Sequence, residues 1–194
     1  MIEVLITMII ILVGLLGIGA LQAKAQIAEL ESYQRAQGLI LMSDIIDRMH
    51  TNRETISCFI ITTNTGSGTP FIGAAGTGHA STPACAASTT EYNTQANDTI
   101  TELDNLLKGS AETESGSNVG AMIGARACIS YDSSTEVADA TGAIQSGTGL
   151  YTIAVSWQAL GDLTTPSVNC ANGLYGAETK RRTISTTMRI ADLY

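Results

Sequence analysis

The sequence predicts an α+β lollipop: one long N-terminal α-helix, about 50 residues, packed on a small antiparallel β-sheet head. Three observations lead there. Residues 1–22 form an almost uninterrupted apolar run. Residues 23–53 continue as an amphipathic helix with no proline. Beyond residue 125, short stretches alternate apolar and polar residues with the period of a strand.

The first stretch reads MIEVLITMIIILVGLLGIGALQ. Its polar residues are Glu3, Thr7 and the closing Gln22. At 1.5 Å per residue it is about 33 Å of helix, enough for a bilayer core of about 30 Å. A signal peptide would need a basic leading region, a shorter apolar core and a small-x-small cleavage site. No Lys or Arg precedes the apolar run in this sequence, and the helix carries on past it.

Glu3 has two readings. It sits in water at the membrane edge, or it pairs with a positive group when apolar helices pack without lipid. A lone carboxylate in hydrocarbon costs about 2.5–3.5 kcal/mol. The nearest basic side chain along the sequence is Lys24, so the N-terminal amine of a neighbouring subunit is the natural partner. Gly14, Gly17 and Gly19 also have two. They allow close helix packing, or they make a weak point, each costing about 1 kcal/mol relative to Ala.

The continuation, AKAQIAELESYQRAQGLILMSDIIDRMHTNRE, carries an apolar stripe. Ile27, Leu30 and Tyr33 begin it; Leu39, Met42, Ile46 and Met49 extend it. Glu31 and Arg35 stand at i,i+4, the spacing of a helical ion pair. Residues 1–22 are therefore assigned to an apolar transmembrane or filament-core segment, 23–55 to an amphipathic segment, and 56–194 to a head. A helix this long cannot belong wholly to one small globule. Its first half needs a membrane or copies of itself.

Within the head, residues 59–98 are rich in Thr, Ser, Gly and Ala and read as loops. NDTITELDNLLKGS reads as a short helix, capped by Asp98 or Thr99, with Ile100, Leu103, Leu106 and Leu107 turned inward. Three alternating runs follow: Ala127, Ile129 and Tyr131; Tyr151, Ile153, Val155 and Trp157; Ile184, Met188 and Ile190. They predict a sheet of three or four antiparallel strands across about 125–190, one face of which covers the striped half of the helix.

Four cysteines, Cys58, Cys85, Cys128 and Cys170, are too far apart for a zinc site. An even count behind a membrane segment reads as two disulfides made outside the cytoplasm, against four buried free thiols. The sequential pairing, Cys58–Cys85 and Cys128–Cys170, closes two Gly/Ser/Thr-rich loops.

Charged residues make up 14% of the chain and the net charge is −8. That argues against nucleic-acid binding by charge. Lys180, Arg181 and Arg182 form the one basic cluster and read as a solvated strand end. His50 ends the long helix, where a cation suits the dipole; His79 lies in a loop. Neither has an acid or cysteine at ligand spacing, so no metal and no cofactor is expected. Asp132, Glu136 and Asp139 are spaced for a polar turn after a strand, although such a loop is also what calcium takes. Asn97-Asp98-Thr99 has the N-glycosylation pattern. GTGLY and GSGTP lack the Lys-Ser/Thr ending of a phosphate loop. No nucleophilic triad is suggested by order. The chain is expected not to be an enzyme.

The N-terminal residues resemble a known family. Ile-Glu-Val-Leu, then LVGLLGIGALQ, then a long amphipathic helix, is similar to the start of type IV pilins. GLLGIGALQAKAQ, together with YTIAVSWQAL and RRTISTTMRI, is most similar to minor pilins of the PilV kind, the type IV pilus modification proteins. The resemblance covers about residues 1–50 and 125–190.

It implies a prepilin with a short basic leader, cut and N-methylated by a prepilin peptidase. The helix waits in the bacterial inner membrane, then packs with copies of itself or other pilins in an extracellular filament, helped by an assembly platform. Motility and adhesion are the activities such filaments serve. Glu3 stands at the family glutamate that neutralises a neighbour's N-terminus. The family usually has two more residues between its mature N-terminus and the stretch that aligns with Met1, which leaves the methylated residue and the geometry of the Glu3 partner unidentified.

Three functions remain open at this stage. The chain is a subunit of a type IV pilus, minor or major; or a pseudopilin of a type II secretion system; or a membrane-anchored binding protein that forms no filament. Only the filament readings need Glu3.

Overall fold

The computed structural model describes residues 2–74, 85–110, 113–115, 117–118 and 122–190. Helix α1 runs Ile2–Thr51 without interruption. A 3-10 segment, Arg53–Phe59, turns the chain into the head. Strand β1 is Ile72–Gly73, and helix α2 is Thr90–Leu107. A two-stranded ribbon of β2 (Thr113–Glu114) and β3 (Ser117–Asn118) follows. The main strands are β4 (Arg126–Asp132), β5 (Leu150–Gln158) and β6 (Arg181–Arg189). They join β1 in one antiparallel sheet of order β1-β4-β5-β6. This is the α+β lollipop.

The alternation of each strand sorts its residues between two cores. Ala127, Ile129, Tyr151, Ile153, Val155 and Trp157 point to one face. There they meet Ile45 and Met49 of α1, and Ala96, Ile100, Leu103 and Leu107 of α2. Cys128 and Ala154 point to the other face, where they meet Phe71, Cys170, Ala171 and Tyr175. The head is thus a sheet covered by helices on one side and by loops on the other. The alternation foresaw the first core; the second needs the 22-residue span between β5 and β6 to fold back, which no period signals.

Two expectations about helices change. Helix α2 begins at Thr90, within the stretch assigned to loops, and not at Asp98 or Thr99. Ala96 is fully buried one turn before Ile100, so the inward stripe starts earlier than its large residues. The Asn93 side chain holds the entry: its Oδ1 accepts the N–H groups of Ala87 and Ser88, both at 3.0 Å, and its amide donates to Ser88 O. Leu106 is only half-buried. On α1, the seam that meets the head is Gly38, Ile45 and Met49, with Leu41, Met42 and Ile46 beside it. Leu39 and Tyr33 remain exposed.

Candidate functional site: an exposed apolar helix and its seat

Residues 2–30 of α1 are exposed throughout. They extend about 43 Å beyond the head at 1.5 Å per residue. Among the described residues, α1 is the one helix long and apolar enough to cross a membrane. Burying each of its Ile and Leu side chains is worth about 1.5–3 kcal/mol. Summed over the segment, that exceeds the roughly 5–15 kcal/mol that stabilises a typical domain. The segment therefore needs an apolar environment the head does not supply.

Glu3 lies in the first turn of α1, exposed, where a carboxylate suits the helix dipole. Among the described residues it makes no ion pair. Thr7 Oγ1 donates to Val4 O at 2.9 Å, which satisfies its hydroxyl proton within the helix. A Cβ built at Gly14, Gly17 or Gly19 would meet nothing within 4 Å. The fold of the single chain thus does not require these glycines. Any packing reason for them lies outside it.

Where α1 enters the head, the seat is specific. Glu31 Oε1 accepts from Arg182 Nη2 at 3.1 Å, and Gly161 N lies 3.4 Å from the same oxygen. The expected Glu31–Arg35 pair does not form, because Arg182 offers a fixed, partly buried cation instead. Arg182 is held by Gly161 O at 2.9 Å and Thr179 O at 2.8 Å. Two turns further on, Gly38 packs against Trp157 and Ile184. At the far end Arg48 bridges Asp44, at 3.0 Å, and Glu102 of α2, at 2.6 Å. Those carboxylates raise the Arg48 pKa against the opposing effect of its burial.

The basic cluster is correspondingly not a solvated strand end. Arg181 is 1% exposed. Its guanidinium donates to Glu178 Oε2 at 2.6 Å, Val168 O at 2.7 Å, Thr183 Oγ1 and Asn169 Oδ1. A buried charge is tolerated when it is paired and fully hydrogen-bonded. Arg126, on the same side, stacks on Tyr175 at 4.5 Å and Phe71 at 5.4 Å. Sequence reasoning missed these roles, since most partners are not adjacent in sequence: Val168 is 13 residues from Arg181, and Glu31 is 151 residues from Arg182.

The four cysteines form two disulfides, Cys58–Cys85 and Cys128–Cys170. The first ties the segment after α1 to the entry of α2. The second ties β4 to the β5–β6 connection. Asp132, Glu136 and Asp139 each serve their own turn. Asp132 Oδ1 caps Ser134 N; Asp139 Oδ1 accepts from Thr141 N and Ala143 N; Glu136 Oε1 accepts from Tyr131 OH and Gly147 N. Among the described residues, no three His, Cys, Asp or Glu side chains converge as a metal site. His50 is exposed in the last turn of α1; His79 lies outside the described residues. Asn97 is half-buried within α2, and its Oδ1 accepts Cys85 N, so its side chain is in structural use.

Comparison with protein-family models, with curated proteins and with solved structures gives no match.

Proposed function

We propose that this chain is a structural, minor pilin-like subunit of a type IV pilus. One observation carries the reading: an apolar helix, exposed over residues 2–30, stands out from a disulfide-bonded head. The pilin-like residues Ile2-Glu3-Val4-Leu5 and the glycine-containing run to Gln22 support it. In this reading residues 1–22 hold the chain in the inner membrane. After processing by a prepilin peptidase they transfer, through an assembly platform, into the core of an extracellular filament. Other pilins then cover the apolar surface. Glu3 pairs there with the N-terminal amine of an adjacent subunit. The filament serves adhesion or motility, and the head needs no catalytic group.

Mass spectrometry of sheared, purified filaments tests this. The chain should be present, with both disulfides intact, and Glu3→Ala should be depleted from filaments while still reaching the membrane. Recovery of the wild-type protein from membranes alone would sink the filament reading in favour of an anchored binding protein. Normal incorporation of Glu3→Ala would remove the role given to Glu3.

A further inference from the structure

We propose that the outer face of the sheet carries a binding cleft for a neutral sugar. The inference stands apart from the filament reading, because it concerns the head alone.

The cleft has a volume of about 230 Å³ and lies between the chain around Thr62–Thr65 and the connection leading to Cys170. Ligand pockets for drug-sized molecules run from about 300 to 1,000 Å³, so this one takes something smaller, of the order of a single ring. Its floor is the sheet itself. Ser130 of β4 and Thr152 of β5 are directly paired, and so are Cys128 and Ala154 one step along the same face. Ser130 and Thr152 are half-buried and bring hydroxyls to the floor, while Cys128 and Ala154, 4% and 2% exposed, close it from below.

The walls are fixed before any ligand arrives. Asn169 Nδ2 donates to Gly66 O at 2.9 Å, joining one wall to the other. Ala171 N reaches Gly68 O at 2.9 Å and Asn172 N reaches Ser67 O at 3.0 Å. The Cys128–Cys170 disulfide anchors the same loop to the floor. A preformed site loses less free energy to ordering when it binds.

The lining chemistry selects the ligand class. None of the lining residues carries a charge, so a phosphate, a nucleotide or an acidic sugar finds no counter-ion. Among the described residues the hydroxyls of Thr65, Ser130, Thr152 and Ser167 have no protein partner. A wholly apolar ligand would strip water from them and leave them unpaired, which costs about 1–3 kcal/mol each. A neutral sugar offers what this lining needs: hydroxyls for the polar groups, and a C–H face for the half-buried Val168. The hydroxyl row continues onto the edge strand, where Thr187 pairs with Thr152, so a second residue of a glycan has a surface to follow.

The test is saturation-transfer NMR on the full chain in a phosphocholine detergent, which contains no sugar. The probes are glucose, galactose, mannose, N-acetylglucosamine and N-acetylgalactosamine. At least one should give a saturable signal, with millimolar affinity. The double variant Ser130→Ala/Thr152→Val removes two hydroxyls from the floor and should weaken binding by about tenfold, at about 0.5–1.5 kcal/mol per hydrogen bond. Should that variant misfold, Ser167→Trp, at an exposed wall position, blocks the cleft from outside the sheet and should abolish the signal. No saturable signal from any of the five sugars would overturn the proposal. So would unchanged binding in both variants, or tighter binding of glucuronate than of glucose.

Discussion

A Cβ built on Gly38 of α1 would stand 3.0 Å from the ring of Trp157 in β5, and 3.2 Å from Ile184 Cδ1. This contact sets how closely the long helix approaches the sheet. Gly38 is the single glycine in the amphipathic half of α1, and Trp157 is 3% exposed. The helix gives up about 1 kcal/mol of propensity there relative to Ala; the close seat is what it gains.

Enlarging that position should lift the helix from its seat. Gly38→Leu is expected to destabilise the head by about 1–3 kcal/mol, the usual cost of overpacking. Denaturant unfolding of the full chain, followed by Trp157 fluorescence, measures it. Since Trp157 is the one tryptophan in the sequence, the native emission should also shift to the red. Unchanged stability and emission would show that the contact does not set the spacing.

The Glu31–Arg182 bridge should be worth more than an exposed pair. Its side chains are 27% and 14% exposed, and Arg182 also holds two carbonyls. A double-mutant cycle with Glu31→Ala and Arg182→Ala should give a coupling of about 1 kcal/mol, at the upper end for partly exposed ion pairs. A coupling near zero would reduce the bridge to an incidental contact.

The two disulfides should differ in reactivity. Cys128 and Cys170 are 4% and 0% exposed, whereas Cys58 and Cys85 are half-buried at the surface. Under native conditions a thiol reductant should open Cys58–Cys85 first, read by alkylation and peptide mass. On a chain-entropy argument, removing the bridge that spans 42 residues should cost about 4 kcal/mol and the one that spans 27 about 3.5 kcal/mol. Simultaneous reduction of both would contradict the difference in access.

Acid should loosen the β5–β6 connection. Burial pushes the Glu178 carboxyl up, but the Gly173 N–H and the Arg181 guanidinium outweigh it, and the net pKa lies below the ordinary 4.5. A carboxyl lowered in the folded state binds its proton more readily when unfolded. Its stabilisation is therefore present above about pH 4.5 and is lost as pH falls through the folded value. Glu178→Gln should be less stable than wild type at neutral pH and should show a flatter acid limb in the same range. Parallel pH–stability curves for the two proteins would refute this.

Much of this architecture was legible along the chain. The 3.6-residue stripe gave α1, and the alternation around Ile129, Ile153 and Ile184 placed the three long strands. Even the order of disulfide pairing followed the loops. What misled was local content. Residues 90–97 look like loop because they are polar, yet Ala96 adds a small buried side chain and Asn93 ties the preceding turn. The basic triplet at 180–182 looks solvated because, Glu178 apart, the groups that bury it lie further away along the chain: Val168 and Asn169 for Arg181, and Glu31 for Arg182.

The sequence by itself determined the long helix, its two chemical halves and the sheet it rests on, because periodicity and apolar length are local properties. Only the tertiary structure decided the seat. Gly38 meets Trp157, Arg182 reaches Glu31 and Arg181 is buried against Glu178 and the 168–169 carbonyl and amide, because close approach and charge pairing depend on residues brought together from distant parts of the chain. The same holds for the hydroxyl-lined cleft, whose floor and walls come from four separate segments and share no motif.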